Sequence, residues 1–124
     1  MVQVLVVDDQ PIFRRVAREV IDATPGFALL GEAESGEQGL AVASELKPDL
    51  VLLDVRLPGG IDGVETATRI RACPDPPVVI LISVEDPGDV PSARTSGAAT
   101  FVRKQDFGPA LLRRLWWAYG ERDS

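Results

Sequence analysis

The chain has 124 residues with a formal net charge of −6, and 45% of its residues are apolar. This size and composition are typical of one folded domain with a substantial core, so we expect a single domain over residues 1–124. The acidic balance argues against direct nucleic-acid binding by this domain, because phosphate contacts need clustered Lys and Arg. The absence of histidine excludes histidine-based catalysis and histidine-ligated zinc.

The cellular location is indicated by three features that the sequence lacks. Cys73 is the only cysteine, which excludes an internal disulfide, and we expect it to be a small filler near a helix end. No apolar run approaches the roughly 20 residues that a membrane span needs. The N-terminus enters an apolar strand at once and does not resemble a signal peptide. We therefore expect a cytoplasmic protein with no membrane partner.

Strand-like and helix-like patterns alternate along the chain. In chain order they predict a strand at 3–7, a helix from Pro11 that ends before Pro25, a strand at 28–33, a helix over 36–46 capped by Ser35, a strand at 50–53, a helix over 63–72 capped by Asp62, a strand at 78–82, a weak helix over 90–96, a strand at 99–102, a helix over 107–119 and a frayed tail after Gly120.

Five strands that alternate with five helices indicate an α/β domain with a parallel sheet. The runs at 50–53 and 78–82 are wholly apolar, which favours central strands covered on both faces. Right-handed crossovers then place helices on both sides of the sheet.

Polar residues follow the predicted strands at the points where they end. The first strand ends at Asp8 and Asp9, the third at Asp54, the fourth at Ser83, and the fifth near Lys104. Because the carboxyl ends of parallel strands share one edge of the sheet, we expect these side chains to meet in one crevice. Taken singly, each has a simpler explanation; Asp8 and Asp9, for example, could cap the helix at Pro11.

The residue types at this edge predict phosphoryl chemistry. Three close carboxylates repel one another unless a cation lies among them, and all-oxygen ligands suit Mg²⁺. A carboxylate can be the nucleophile that forms an aspartyl phosphate. A lysine and a hydroxyl can hold the other phosphoryl oxygens as charge develops.

Several segments together resemble the receiver domain of response regulators in bacterial two-component systems. Over essentially the whole chain and in the family's order, the matching segments are VVDD at 6–9, LLDVRLP at 52–58, DGVE at 62–65, LIS at 81–83 and GAATFVRK at 97–104. The resemblance implies a flavodoxin-like sheet of strand order 2-1-3-4-5. The segments DDQP at 8–11 and GEAESG at 31–36 resemble receivers that precede a helix-turn-helix DNA-binding domain.

The resemblance implies a role for each site residue. Asp54 would be the phosphoacceptor, with a histidine kinase as phosphodonor. Asp9 and Asp54 would ligate Mg²⁺ directly, with Mn²⁺ as a substitute. Asp8 would act on the metal through water, and the backbone carbonyl of Arg56 would be a further ligand.

The remaining implied residues concern the phosphoryl group and the response to it. Lys104 would pair with the phosphoryl group, or with Asp54 before modification. Ser83 would bond a phosphoryl oxygen and move on activation. Phe101, at the family's aromatic switch position, would then turn inward or serve only in the core. Activation would change the surface formed by the predicted helix at 90–96, the fifth strand and the final helix, and thereby control an output such as transcription.

A loop and three single residues near Asp54 depart from the family pattern or flank the site. The loop over 57–63 is one residue longer than usual, and Gly59-Gly60 can absorb the extra residue. Val84 replaces a small residue after Ser83 and would narrow access to the site. Arg56 and Glu85 either form an ion pair that screens the acyl phosphate from water or are two unrelated solvated charges; sequence alone favours the second alternative slightly.

The final helix carries Trp116 and Trp117, which cannot be equally buried because adjacent helical residues point about 100° apart. One tryptophan then lies in the core and the other at its rim, or the two belong to a surface for a homodimer or another partner. That surface would be formed by the final helix alone or together with the predicted helix at 90–96 and the fifth strand. Two alternative functions also stay open. One is a pseudo-receiver that acts only as an interaction module, and the other an aspartyl-phosphate phosphatase, although Arg56 stands where such enzymes need a second acid. A receiver is not otherwise an enzyme beyond its own phosphorylation and slow dephosphorylation.

Overall fold

The structure is a computed structural model that describes residues 1–86, 89 and 95–120. Its regular elements are β1 (Val2–Val7), α1 (Pro11–Asp22), β2 (Phe27–Ala33), α2 (Gly36–Leu46), β3 (Leu50–Asp54), α3 (Gly63–Arg71), β4 (Val78–Ser83), β5 (Thr100–Arg103), a short 3₁₀ helix (Lys104–Asp106) and α4 (Pro109–Tyr119).

The five strands form one parallel sheet with the order β2-β1-β3-β4-β5, as predicted. The apolar runs of β3 and β4 are buried at every position, which fits their place in the middle of the sheet. In register, Leu53 lies beside Val7 and Asp54 beside Ile82, so the strands end level with one another.

Alternation along the strands divides the core between the two faces of the sheet. Val4, Val6 and Leu52 face the side covered by α1 and α4, where Phe13 and Leu112 pack against them. On the other face, Leu5, Val7 and Leu53 pack with residues of α2 and α3, including Ala43, Ala67 and Ile70. Helices therefore cover both faces, as the sequence predicts.

Helix starts agree with the sequence at two places and differ at two others. Ser35 accepts a hydrogen bond from Gln38 N, and Asp62 accepts one from Glu65 N, so both predicted caps are confirmed. The alternative that Asp8 and Asp9 cap α1 is wrong, because Gln10 is the N-cap residue and the helix has no side-chain cap bond. The last helix begins at Pro109 rather than residue 107, because Phe107 and the N-cap residue Gly108 have extended backbone conformations.

Two predictions fall partly or wholly outside the described residues. The weak helix predicted over 90–96 lies largely there, and the tail after Gly120 lies there entirely. Within the described part of the chain, no helix is long and apolar enough to cross a membrane.

Candidate functional site

The predicted site residues lie at one edge of the sheet, where β1, β3, β4 and β5 end. Asp54 is the last residue of β3 and Ser83 the last of β4. Asp8 directly follows β1, and Lys104 directly follows β5. The parallel register brings these four residues to the same edge, although up to 96 positions separate them in the sequence (104 − 8).

Three carboxylates form the acidic part of this edge. One oxygen from each of Asp8, Asp9 and Asp54 lies within 4.8 Å of the others. Asp8 is fully buried and Asp54 is 4% exposed, whereas Asp9 is exposed. Backbone amides hold the two buried groups: Gln10 N donates to Asp8 Oδ1 over 2.8 Å, and Arg56 N donates to Asp54 Oδ1 over 3.1 Å.

Lys104 supplies the positive charge among these carboxylates. Its Nζ donates a hydrogen bond to Asp54 Oδ2 over 3.2 Å and lies 2.7 Å from Asp8 Oδ2. The second contact is an ion pair without hydrogen-bond geometry, since the buried Asp8 Oδ2 has no hydrogen-bond partner within the described residues. A buried carboxylate oxygen with an unused acceptor site is a ready place for a cation or its bound water.

The residues present fit a hard divalent cation. Carboxylate oxygens from three aspartates converge, and one of the three side chains, Asp9, is open to solvent. A small number of carboxylates with room for waters is the donor set that Mg²⁺ prefers, and no cysteine or histidine offers a softer alternative at this edge.

Burial changes the acidity of Asp54. Burial of its carboxylate away from solvent, and to a smaller extent repulsion from Asp8, raises the pKa of Asp54 from its ordinary value of 3.8 to about 6. Lys104 and the amide of Arg56 act in the opposite direction without cancelling the rise. The carboxylate is therefore mostly ionised at neutral pH, which a nucleophile requires, but it is a stronger base than a solvated aspartate.

Two residues that the sequence argument did not assign to the site position Lys104. Its ammonium lies 4.6 Å from the ring centroid of Phe13, and its Nζ is 3.4 Å from Gln10 Oε1. The ring of Phe107 is 6.1 Å from that of Phe13, so the ring that contacts the lysine is itself part of an aromatic pair. Helical spacing identified Phe13 as a core residue, but no pattern in the sequence pairs it with position 104.

Arg14 is a third residue that the sequence argument missed. It donates from Nη1 to the backbone oxygen of Asp8 over 2.7 Å. Its other nitrogens lie 3.4 Å from Glu32 and Glu34, at the end of β2 and just beyond it. The guanidinium thus ties the end of β1 to the neighbouring end of β2.

The remaining predicted residues surround Asp54 on the β4 and β5 side. Ser83 is 1% exposed, and its hydroxyl accepts a hydrogen bond from Glu85 N over 3.1 Å. Val84 is 70% exposed at the rim. Phe101 is half-buried and packs against the core on the α2 and α3 face, so it is partly a core residue.

Arg56 and Glu85 form an ion pair beside the site. Arg56 Nε and Nη2 donate to the two carboxylate oxygens of Glu85 over 2.6 and 2.9 Å. The preference for two unrelated solvated charges was therefore wrong, since the structure holds the side chains face to face in a bidentate pair. Hydrogen bonding to Arg56 lowers the pKa of Glu85, and the same bond raises the pKa of Arg56.

Comparisons with known proteins identify the family of this chain. The response regulator receiver domain family matches residues 4–115. The nitrate/nitrite response regulator NarL of Escherichia coli K12 is 34% identical over 90% of this chain and 52% of its own length. The response regulator GacA of Pseudomonas syringae pv. syringae is 39% identical over 84% of this chain and 49% of its own. The chain thus spans about half the length of these curated relatives.

Solved structures show the same fold. The signal receiver domain of the response regulator NarL from Mycobacterium tuberculosis matches with a TM-score of 0.87 and 33% identity, over 98% of each chain. A chain in the CheX–CheY–BeF₃–Mg²⁺ complex from Borrelia burgdorferi matches with a TM-score of 0.81 and 25% identity, over 95% of this chain and 89% of its own. The family model covers most of the chain and the solved structures share its fold, so the chain belongs to the response regulator receiver domain family.

Proposed function

We propose that this receiver is a phosphorylation-dependent signalling switch and that Asp54 accepts the phosphoryl group. One observation carries the proposal: an oxygen of Asp54 lies 3.2 Å from the ammonium of Lys104, and its carboxylate has an oxygen within 4.8 Å of oxygens of both Asp8 and Asp9. A structural role alone does not account for three carboxylates and a lysine at one sheet edge, because the burial of charged Asp8, Asp54 and Lys104 side chains raises the free energy of the folded state.

In the proposed step, a carboxylate oxygen of Asp54 attacks phosphorus of a phosphohistidine. The new O–P bond forms as the N–P bond breaks, and the electron pair of that bond leaves with the imidazole. Lys104 pairs with a phosphoryl oxygen as charge develops, and the Ser83 hydroxyl supplies a further hydrogen bond. Ser83 can donate this bond without losing its present one, because its hydroxyl oxygen only accepts from Glu85 N.

Magnesium belongs to the same proposal. Asp9 and Asp54 would bind it directly, Asp8 through water, and the backbone carbonyl of Arg56 would complete the protein ligands, with Mn²⁺ as a substitute. The metal would neutralise charge on the transferring group and hold it in position. A similar chain occurs in a complex that contains BeF₃ and Mg²⁺, which supports this assignment.

Intact-mass analysis after treatment with acetyl phosphate and MgCl₂ tests the proposal. We expect the wild type to gain one phosphoryl group and Asp54→Ala to gain none. Asp62→Ala is a matched control, since Asp62 is an exposed aspartate that caps α3, and it should still be labelled. A wild type that gains no mass with either Mg²⁺ or Mn²⁺ would contradict the proposal and favour a pseudo-receiver. Sustained turnover of a generic phosphate ester would instead favour a phosphatase.

The Arg56–Glu85 ion pair and Val84 are proposed to modulate the lifetime of the acyl phosphate. The pair lies beside Asp54, whose Oδ1 accepts a hydrogen bond from the amide of Arg56 itself. We expect Arg56→Ala to shorten the lifetime of the phosphorylated form, because the pair would no longer hinder an attacking water. Arg69→Ala removes a similar exposed pair with Glu65 on α3 and is the control. Equal lifetimes of Arg56→Ala and the wild type would exclude the screening role.

Signal output is proposed at the surface around β5 and α4. Phe101 on β5 would turn inward as Ser83 moves, and the change would extend to α4 and to the residues before β5. Control of transcription follows by analogy with the relatives, which are response regulators about twice as long as this chain. The histidine kinase as phosphodonor and a cytoplasmic setting are parts of this proposal.

A homodimer through α4 is a further part of the proposal. Trp116 packs against the core while Trp117 is 82% exposed, as their adjacent positions predict. Arg113 lies one turn before Trp117, and Arg and Trp are common in protein interfaces. Sedimentation of the phosphorylated wild type and of Trp117→Ala tests this; a monomeric phosphorylated wild type contradicts it.

A further inference from the structure

The inserted loop between β3 and α3 is fixed at both of its ends. At its start, Arg56 N donates to Asp54 Oδ1 over 3.1 Å. At its end, Gly63 N donates to the carbonyl of Val55 over 2.9 Å. A Cβ on Gly63 would run into the Asp54 backbone, so the loop must return very close to its own beginning.

The middle of the loop is held by one side chain from another element. Glu37, in the first turn of α2, accepts a hydrogen bond through Oε2 from Ile61 N over 3.0 Å. The same carboxylate packs so closely on Gly60 that a Cβ there would overlap Oε2. Gly59, with φ of +91°, provides the turn that brings Gly60 and Ile61 to Glu37.

The loop also packs against the first residue of α2. A Cβ on Gly36 would meet the side chain and carbonyl of Ile61 and the Thr66 hydroxyl of α3. The α2 N-terminus therefore approaches the loop as closely as a glycine allows. A carboxylate at this end of a helix is itself favoured by the helix dipole, which helps to hold Glu37 in place.

We propose that Glu37 is a positioning residue that fixes the inserted loop and, through it, the metal-binding carbonyl of Arg56. This inference rests on the proposed function, because it concerns the same metal site. The backbone from Arg56 to Ile61 has one anchor on Asp54 and one on Glu37. Without the hydrogen bond to Glu37, the loop, which is one residue longer than usual, can adopt several conformations. The carbonyl of Arg56 is then less often in the position that binds the metal.

The proposal predicts weaker divalent-metal binding by Glu37→Ala. We expect the Kd for Mn²⁺, measured by electron paramagnetic resonance on the unphosphorylated protein, to rise about threefold to tenfold. Glu37→Gln keeps an oxygen that can accept from Ile61 N, so it should bind Mn²⁺ almost as the wild type does. Glu45→Ala, an exposed glutamate near the other end of α2, is the control and should leave the Kd unchanged.

A double-mutant cycle tests whether the effect acts through the loop. Gly60→Ala displaces the Glu37 carboxylate and should weaken Mn²⁺ binding by a similar factor. In the Glu37→Ala background, Gly60→Ala should have little further effect, because the displaced group is already absent. Hydrogen exchange of the Ile61 amide should be faster in Glu37→Ala and close to wild type in Glu37→Gln.

The outcomes distinguish this inference from the proposed function. Unchanged Mn²⁺ affinity in Glu37→Ala, or additive effects in the cycle, overturns the positioning role while leaving phosphorylation of Asp54 intact. A wild type that binds no Mn²⁺ and is not labelled by acetyl phosphate overturns the metal site and this inference with it. An equal loss of Mn²⁺ affinity in Glu37→Ala and Glu45→Ala also overturns the positioning role, since the loss would then reflect only the removal of a negative charge from the protein.

Discussion

Two charged groups of side chains stand at the same edge of the sheet and differ in burial. In the buried cluster, the side chains of Lys104, Asp8 and Asp54 are 10%, 0% and 6% exposed. In the exposed pair, Arg56 is 64% and Glu85 27% exposed, although its contacts are as short. Burial strengthens every charge interaction but requires each charge to be compensated, so the cluster and the pair should respond very differently to mutation.

The largest effect on stability is expected from Lys104→Met. Removal of the ammonium leaves two buried carboxylates uncompensated, which should cost about 3 to 5 kcal/mol in the free energy of unfolding at neutral pH. Urea titration without divalent metal measures this, and added MgCl₂ should restore part of the loss. Arg103→Met is the control, because Arg103 pairs only with the exposed Asp86 and Asp106 within the described residues. If Lys104→Met and Arg103→Met lose similar amounts of unfolding free energy, burial does not decide how strongly a charged side chain contributes to stability.

A smaller effect of opposite sign is expected from Asp54→Asn. The pKa of Asp54 is raised from 3.8 to about 6 on folding, so its contribution to stability is fully present below pH 3.8 and is lost as pH rises through 6. At pH 7 without metal, the neutral asparagine should therefore stabilise the fold by on the order of 2 to 3 kcal/mol. Urea titrations between pH 3.5 and pH 7 (roughly the range set by the linkage) should show the advantage of Asp54→Asn growing with pH. A constant difference across this range would contradict the raised pKa.

The smallest effect on stability is expected from Arg56→Ala. An exposed ion pair is screened by solvent and salt, so the midpoint of urea unfolding should barely move. The same variant should nevertheless shorten the phosphoryl lifetime, which would separate a kinetic role from a structural one. A clear loss of stability that disappears in 1 M NaCl (about 3 Å screening length) would show that the pair contributes more than its exposure suggests.

Much of the fold followed from the sequence because burial leaves a strong pattern. The wholly apolar runs of β3 and β4 predicted their central place, and Ser35 and Asp62 predicted two helix starts that the structure confirms. The start of α4 was placed two residues early, since Phe107 is apolar at helical spacing although its backbone and that of Gly108 are extended.

The site residues could be predicted from the sequence only where they lie at the ends of strands or directly after them. Asp8, Asp54 and Lys104 meet because the parallel register brings strand ends together, which the topology implied. The contact of Phe13 with Lys104 and that of Glu37 with Ile61 depend on how side chains from separate helices reach the edge. The Arg56–Glu85 pair depends on rotamers of long exposed side chains, which hydrophobic patterning does not specify.

The two tryptophans are intrinsic fluorescence probes of changes that reach α4. Both indoles lie on α4, one half-buried in the core and one in water, and neither lies among the acidic residues around Asp54. Their fluorescence should therefore be insensitive to local chemistry at Asp54 and respond only when a change reaches α4. Occlusion of Trp117 by a second molecule should shift emission to shorter wavelength and reduce quenching by iodide, whereas Trp116 should remain largely shielded from iodide throughout.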